Sequence, residues 1–188
     1  MARATWVLAT AAALFVTGKA SAHVASTASG GSERSPQSAR GSQVVKRMPT
    51  LEERVISAIN DFRRSRGLAP LRPNAELASA ARAHSLSMAQ LGYFDHSSAV
   101  GTPFWYRIKS KYPGARYWRV GENLAWAAPN MSAALALSLW ANSPPHLRNL
   151  LSRAWRDVGV GGVFVSPGPG VYDGLAATIL TADFGVRR

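Results

Sequence analysis

The sequence predicts an α+β fold, an antiparallel sheet with helices packed on it. Three observations carry that reading. Two stretches of helical period come first, and strand-like stretches follow, with one more helical stretch after the first of them. The last two strand-like stretches are joined by Pro167-Gly168-Pro169-Gly170, and strands joined by a turn run antiparallel. The composition, 47% hydrophobic and 17% charged over 188 residues, belongs to a chain with a core to bury.

The N-terminus reads as a signal peptide over residues 1–22. Arg3 supplies a positive start, Thr5 to Thr17 a short apolar run, and Ala20-Ser21-Ala22 the small residues of a cleavage site before His23. Residues 23–49, rich in Ser, Gly, Ala, Gln and Arg, read as a flexible basic linker with too few large apolar residues to fold. The folded domain is expected over 50–188. No later stretch is apolar for the roughly 18 residues that a membrane helix needs, so the processed protein is expected not to be an integral membrane protein. It is expected outside the cytoplasm, either extracellular or periplasmic.

Within the domain, Thr50-Leu51-Glu52-Glu53 has the pattern of a capping box. Leu51, Val55, Ile59 and Phe62 then follow at helical spacing, and Gly67 ends the helix. A second helix begins near Pro73-Asn74. Its inner stripe is Leu77, Ala80, Ala81, His84, Met88 and Leu91, and Gly92 closes it. A short helix starts at Thr102-Pro103 and includes Phe104, Tyr106 and Ile108. Tyr117 to Trp126 alternates like a strand. A further helix runs from about Ser132 to Asn142 with Leu135, Leu139 and Trp140 inward, and Pro144-Pro145 stop it before a last helical turn through Leu150. Val158–Val165 and Gly174–Phe184 read as the closing strands.

The formal net charge is +12. Two of those charges fall in the signal peptide and three in the linker, which leaves +7 on residues 50–188. Such a protein is drawn to anionic lipid or envelope components. The basic residues are dispersed and no nucleic-acid motif accompanies them, so no specific nucleic-acid partner is expected. Cysteine is absent, which excludes disulfides, zinc–thiolate centres and cysteine nucleophiles, and leaves packing alone to hold the domain. There is also no H-E-x-x-H, G-x-S-x-G, P-loop or G-x-G-x-x-G segment.

Among the acidic residues Glu122 stands out. Period two places it on one strand face with Val120, Leu124 and Trp126. A carboxylate there is either at a sheet edge or buried with partners. Buried alone it would neutralise, and histidines or a metal ion would stabilise its charge. His96 and His146 both follow helices, where loops present functional residues. His84 lies on an apolar helix face, the usual setting of a hydrogen-bonded core histidine.

Several segments together resemble one family. They are Ala58-Ile59-Asn60-Asp61-Phe62-Arg63, Gly67-Leu68-Ala69-Pro70-Leu71, Ala81-Arg82-Ala83-His84-Ser85, and Gly92-Tyr93-Phe94-Asp95-His96. Gly121-Glu122-Asn123-Leu124-Ala125, Trp140 to Leu151, Val158-Gly159-Val160-Gly161 and Ala182-Asp183-Phe184-Gly185 complete the set. In this order they resemble the CAP domain (cysteine-rich secretory protein, antigen 5, pathogenesis-related), in its bacterial SCP-like branch. The resemblance implies a three-layer α-β-α sandwich with a central antiparallel sheet. It implies a cleft of His96, Glu122 and His146, which would also be the ligands of a zinc or other divalent ion. It gives structural roles to Asn60, Arg63, His84, Asn123, Trp140, Asn149 and Asp183. The second cleft glutamate of eukaryotic members falls at Ser143 here.

Three functions compete. One is a non-enzymatic secreted module that binds a lipid, a cell-envelope component or a protein partner. Another is a metal-dependent hydrolase or peptidase using His96, Glu122 and His146. The third is a purely structural adaptor whose cleft residues satisfy one another.

Overall fold

The structure, a computed structural model, describes residues 42–114 and 116–188. The expected signal peptide and the linker up to residue 41 lie outside the described residues. Five helices are α1 (Pro49–Ser65), α2 (Ala75–Leu91), α3 (Phe104–Lys109), α4 (Ala133–Ala141) and α5 (Pro144–Leu151). Five strands are β1 (Val44–Arg47), β2 (Arg72–Pro73), β3 (Trp118–Ala127), β4 (Asp157–Ser166) and β5 (Ala177–Arg187). The sheet order is β1-β4-β5-β3, antiparallel throughout, with the two-residue β2 alongside the start of β4 in parallel.

Period two along the strands sorts their side chains onto two faces. Val158, Val160, Leu180, Ala182 and Phe184 face a layer of α1, α4 and α5, where Val55, Ile59, Trp140 and Leu150 complete the larger core. Val163, Val165, Leu124 and Ile179 face α2 with Met88 and Ala89. Leu77 and Ala80 of α2 meet Ile108 and Tyr112 from α3 and the turn after it. The result is the three-layer α-β-α sandwich.

Local chemistry fixes α2. The Asn74 side chain accepts the Leu77 N–H at 2.9 Å as an N-cap, and Gly92, at φ +71°, closes the helix in the left-handed region. The helix then lies directly on β4. A Cβ built on Gly159 would sit 2.0 Å from Ala78 N, and one on Gly161 would sit 2.2 Å from Arg82 N. The two glycines are the seat of the helix.

Four sequence expectations need correction. The linker does not reach residue 49, because Val44–Arg47 pair with Val163–Ser166 as an edge strand. The β-branched pair Val44-Val45 suits that position, and Val45 packs on the sheet core. Thr50 does not cap α1. Met48 takes the N-cap position without a side-chain bond, and Pro49, whose fixed φ suits the first turn, enters first. Glu52 is buried instead, accepting the Gly162 N–H at 3.1 Å and pairing with Arg82 at 3.2 Å. Leu91 and Leu135 point outward, 63% and 40% exposed, and Ala136 takes the inward place beside Trp140.

Candidate functional site

The site grows from the middle of β3. Alternation turns Glu122 toward the α2–α3 face, where its side chain is fully shielded from solvent. An arginine and a histidine meet it there. Arg107 from α3 donates from Nη2 to Glu122 Oε2 at 2.5 Å, and to the His96 carbonyl at 3.2 Å. His96, in the loop after α2, lies with Nδ1 2.7 Å from Glu122 Oε1. Burial alone would raise the Glu122 pKa, but the Arg107 charge and the His96 hydrogen bond outweigh it and take it down to about 2. An ionised carboxylate only accepts, so His96 Nδ1 carries the proton and donates.

Asp183 lies opposite Glu122 in the β3–β5 register. It is fully buried, and neither carboxyl oxygen has a hydrogen-bond partner of sound geometry among the described residues. Burial first, and the Glu122 charge next, push its pKa well above the carboxylate range. Of the two facing carboxyl groups Glu122 is the one held ionised, and ionisation of Asp183 beside it is disfavoured. Arg107 is held charged: burial opposes its charge, and the Glu122 carboxylate overrides that.

His146 is in the first turn of α5 rather than in a loop, because Pro144 and Pro145 both stop α4 and start α5. Its ring lies 6.3 Å from that of His96, tilted by 50°. His146 Nε2 is buried with no partner among the described residues. Burial, and then the proximity of His96, lower its pKa to about 4, so the ring is neutral at pH 7.

The structure thus brings His96, Glu122 and His146 together, and adds Arg107, which sequence reasoning missed. The signal was present. Phe104, Arg107 and Ile108 share one face of the short helix, so an arginine stood among inward-facing residues. Glu122 has both oxygens engaged, on His96 and Arg107. Among the described residues no cluster of three or more His, Asp or Glu side chains is placed to hold a metal ion. The donor set therefore fits a metal only in part, through the imidazole nitrogens of His96 and His146.

The architecture has relatives among known proteins. The family model described as CAP, the Cysteine-rich secretory protein family, matches residues 56–181. The chain belongs to the CAP family. It is 34% identical over 111 residues to YkwD of Bacillus subtilis strain 168, described as uncharacterized, covering 58% of this chain and 41% of that one. A solved extracellular protein containing an SCP domain, from Bacillus anthracis, aligns at 27% identity and TM-score 0.58, over 74% of this chain and 41% of that one. An outer surface protein of Borrelia burgdorferi shares the fold at TM-score 0.58 and 21% identity, over 77% of this chain and 100% of that one. This chain spans about two fifths of the length of both Bacillus proteins. No helix among the described residues is long and apolar enough to cross a membrane.

In this CAP domain a frame of buried polar residues sets the cleft. Asn123 donates to the His146 carbonyl at 3.1 Å, and Asn149 donates to Asn123 Oδ1 at 2.8 Å and to the Glu122 carbonyl at 3.0 Å. Trp140 Nε1 donates to the Leu124 carbonyl at 2.9 Å. α4 and α5 are thereby stitched to the outer edge of β3. Arg63, almost fully buried, donates to the Leu150 carbonyl at 2.8 Å and the Ser152 carbonyl at 3.0 Å, which ties the end of α5 to α1. Asn60 clamps Leu71 through both its N–H and its carbonyl.

His84 lies beneath the cleft, its Nε2 2.9 Å from the Asp95 carbonyl. Burial is the main cause that takes its pKa down to about 4, against 6.5 in the unfolded chain. The folded form resists protonation, so its stabilising effect is complete above pH 6.5 and is lost as pH falls toward 4. Between pH 7 and 5 this group alone should cost the fold about 2 kcal/mol. Urea unfolding at the two pH values measures it, and His84→Gln should flatten the dependence. An unchanged slope in that variant would remove His84 as the source.

Proposed function

We propose that this CAP domain is a non-enzymatic module, secreted to the extracellular or periplasmic side, that binds a lipid, an anionic envelope component or a protein partner. The observation that carries the reading is the state of Glu122. Both its oxygens are engaged, it is shielded from solvent and its pKa is about 2. A general base must reach a substrate proton and hold a pKa near the working pH, and Glu122 does neither. The cleft acts as a rigid hydrogen-bonded frame. The test is a peptidase and esterase assay on the full chain with and without zinc, comparing wild type with Glu122→Gln. Equal, background-level rates are expected. Zinc-stimulated hydrolysis that a folded Glu122→Gln chain loses would overturn the proposal in favour of a metal-dependent hydrolase.

A second reading rests on His146 Nε2, buried without a partner among the described residues and next to His96. Here the two imidazoles hold a zinc or other divalent ion, and Glu122 orients His96 through Nδ1 as a carboxylate orients a ligating histidine. A bound zinc ion would supply a water of lowered pKa. Calorimetric zinc titration should then give one-to-one binding that His96→Ala and His146→Ala each abolish.

A further inference from the structure

The positive charge of the domain is not evenly neutralised. Arg64, Arg72, Arg82, Arg107 and Arg187 each pair with a carboxylate. Arg116, Arg119, Arg153, Arg156 and Arg188 have no carboxylate partner among the described residues, and all five are exposed.

The fold gathers these five at one end of the sheet. Arg116 and Tyr117 both donate backbone N–H groups to the Arg188 carbonyl, and Arg188 returns one to Tyr117. Arg119 pairs with Val186 in the β3–β5 register. Its guanidinium lies 5.1 Å over the Trp155 ring, which props it at the surface. The Arg156 N–H bonds the Gly185 carbonyl, and Arg156 Nη1 bonds the Arg153 carbonyl at 2.8 Å. The chain of contacts runs from Arg188 through Arg119 to Arg156 and Arg153. In sequence these residues are dispersed.

One further feature selects the partner. Tyr117 lies between Arg116 and the end of β5 and is 48% exposed. A tyrosine has an apolar body and a polar tip, and it favours the boundary between water and lipid headgroups. Guanidinium groups around it match phosphate oxygens in paired hydrogen bonds. A soluble polyanion would use the charges and leave the ring idle.

We propose that this end of the sheet, Arg116, Tyr117, Arg119, Arg153, Arg156 and Arg188, docks the protein on a membrane surface of anionic phospholipid headgroups. The proposal names one partner class of the module reading above and rests on it. It is separate from the His96–His146 cleft.

The test is cosedimentation of the full chain with phosphatidylcholine vesicles, with and without about 30% phosphatidylglycerol, at low and high salt. Binding is expected only to the anionic vesicles and should fall as salt rises. Each basic residue near an anionic surface is worth roughly fivefold in partitioning. Arg116→Gln/Arg153→Gln/Arg188→Gln should therefore weaken binding at least about tenfold. Arg47→Gln/Arg54→Gln/Arg66→Gln removes the same charge elsewhere and should weaken it less than about threefold, as a net-charge effect only. Tyr117→Ser should weaken vesicle binding and leave heparin retention unchanged. Equal losses in the two triple variants, or equal effects of Tyr117→Ser on vesicles and heparin, would overturn the proposal. So would absence of binding to anionic vesicles at low salt. That last result leaves the module reading standing, since the hydrolysis assay decides it without vesicles.

Discussion

Arg107→Met should destabilise the domain by about 3–5 kcal/mol, and adding Glu122→Gln should restore most of that loss. The guanidinium is the counter-charge that lets Glu122 stay ionised in a site shielded from water. Without it an uncompensated carboxylate is buried, and such a group either costs the fold dearly or takes up a proton. Removing the carboxylate as well leaves a neutral site. A pH signature separates this from simple loss of packing. In Arg107→Met the Glu122 pKa rises above its unfolded value, so protonation favours the folded state and the loss shrinks as pH is lowered. Chemical denaturation of wild type, both single variants and the double variant at pH 7 and pH 5 makes the measurement. A double variant no more stable than Arg107→Met would sink the argument. Glu122→Gln alone should be milder than Arg107→Met, because Asp183, freed of its charged neighbour, can give up its proton to face Arg107.

Gly161→Ala should cost at least about 3 kcal/mol, at the upper end of overpacking penalties. The added methyl would meet Arg82 N at 2.2 Å and the Ala81 carbonyl carbon at 2.4 Å. These are backbone atoms of α2, so no rotamer change relieves the contact, and the helix has to lift from the sheet. Gly162 in the same strand points to the opposite face. A Cβ there would meet Leu180 Cδ2, the mobile end of a side chain, at 3.1 Å, and Met48 Cβ at 3.3 Å, a contact that a shift of a few tenths of an ångström relieves. Gly162→Ala should therefore cost below about 1.5 kcal/mol. Thermal or urea unfolding of the two variants side by side decides the point, and equal losses would remove the seat that Gly159 and Gly161 are taken to form.

The parts of this molecule that are legible in sequence are those set by local rules. Asn74 and Gly92 bracket α2 because a cap and a left-handed glycine need only their own neighbours. Glu122 is visible because alternation places it among apolar residues on one strand face. Elements fixed by distant contacts are harder to read. β1 hides in a polar stretch, since only pairing with β4 makes Val44–Arg47 a strand. The partnership of Arg107 with Glu122 crosses from a helix to a strand, and no spacing rule joins them. Leu135 and Ala136 show the limit of helical wheels on short helices, where one residue of rotation moves a leucine from core to surface. His146 reads as a loop residue in sequence because two consecutive prolines suggest an ending, and here they also make a beginning.

The stitching of β3 has a consequence for the protein in bulk. The outward carbonyls of Glu122 and Leu124 are occupied by Asn149 and Trp140, so the middle of that margin offers a neighbouring molecule no free ladder. The opposite margin is β1, four residues long and carrying Lys46 and Arg47. Strand pairing through the middle of β3 is therefore obstructed, and the short β1 is the margin more open to it. The residues that hold the cleft in shape thus also shield one edge of the sheet, in a protein built without disulfides, from pairing with another chain.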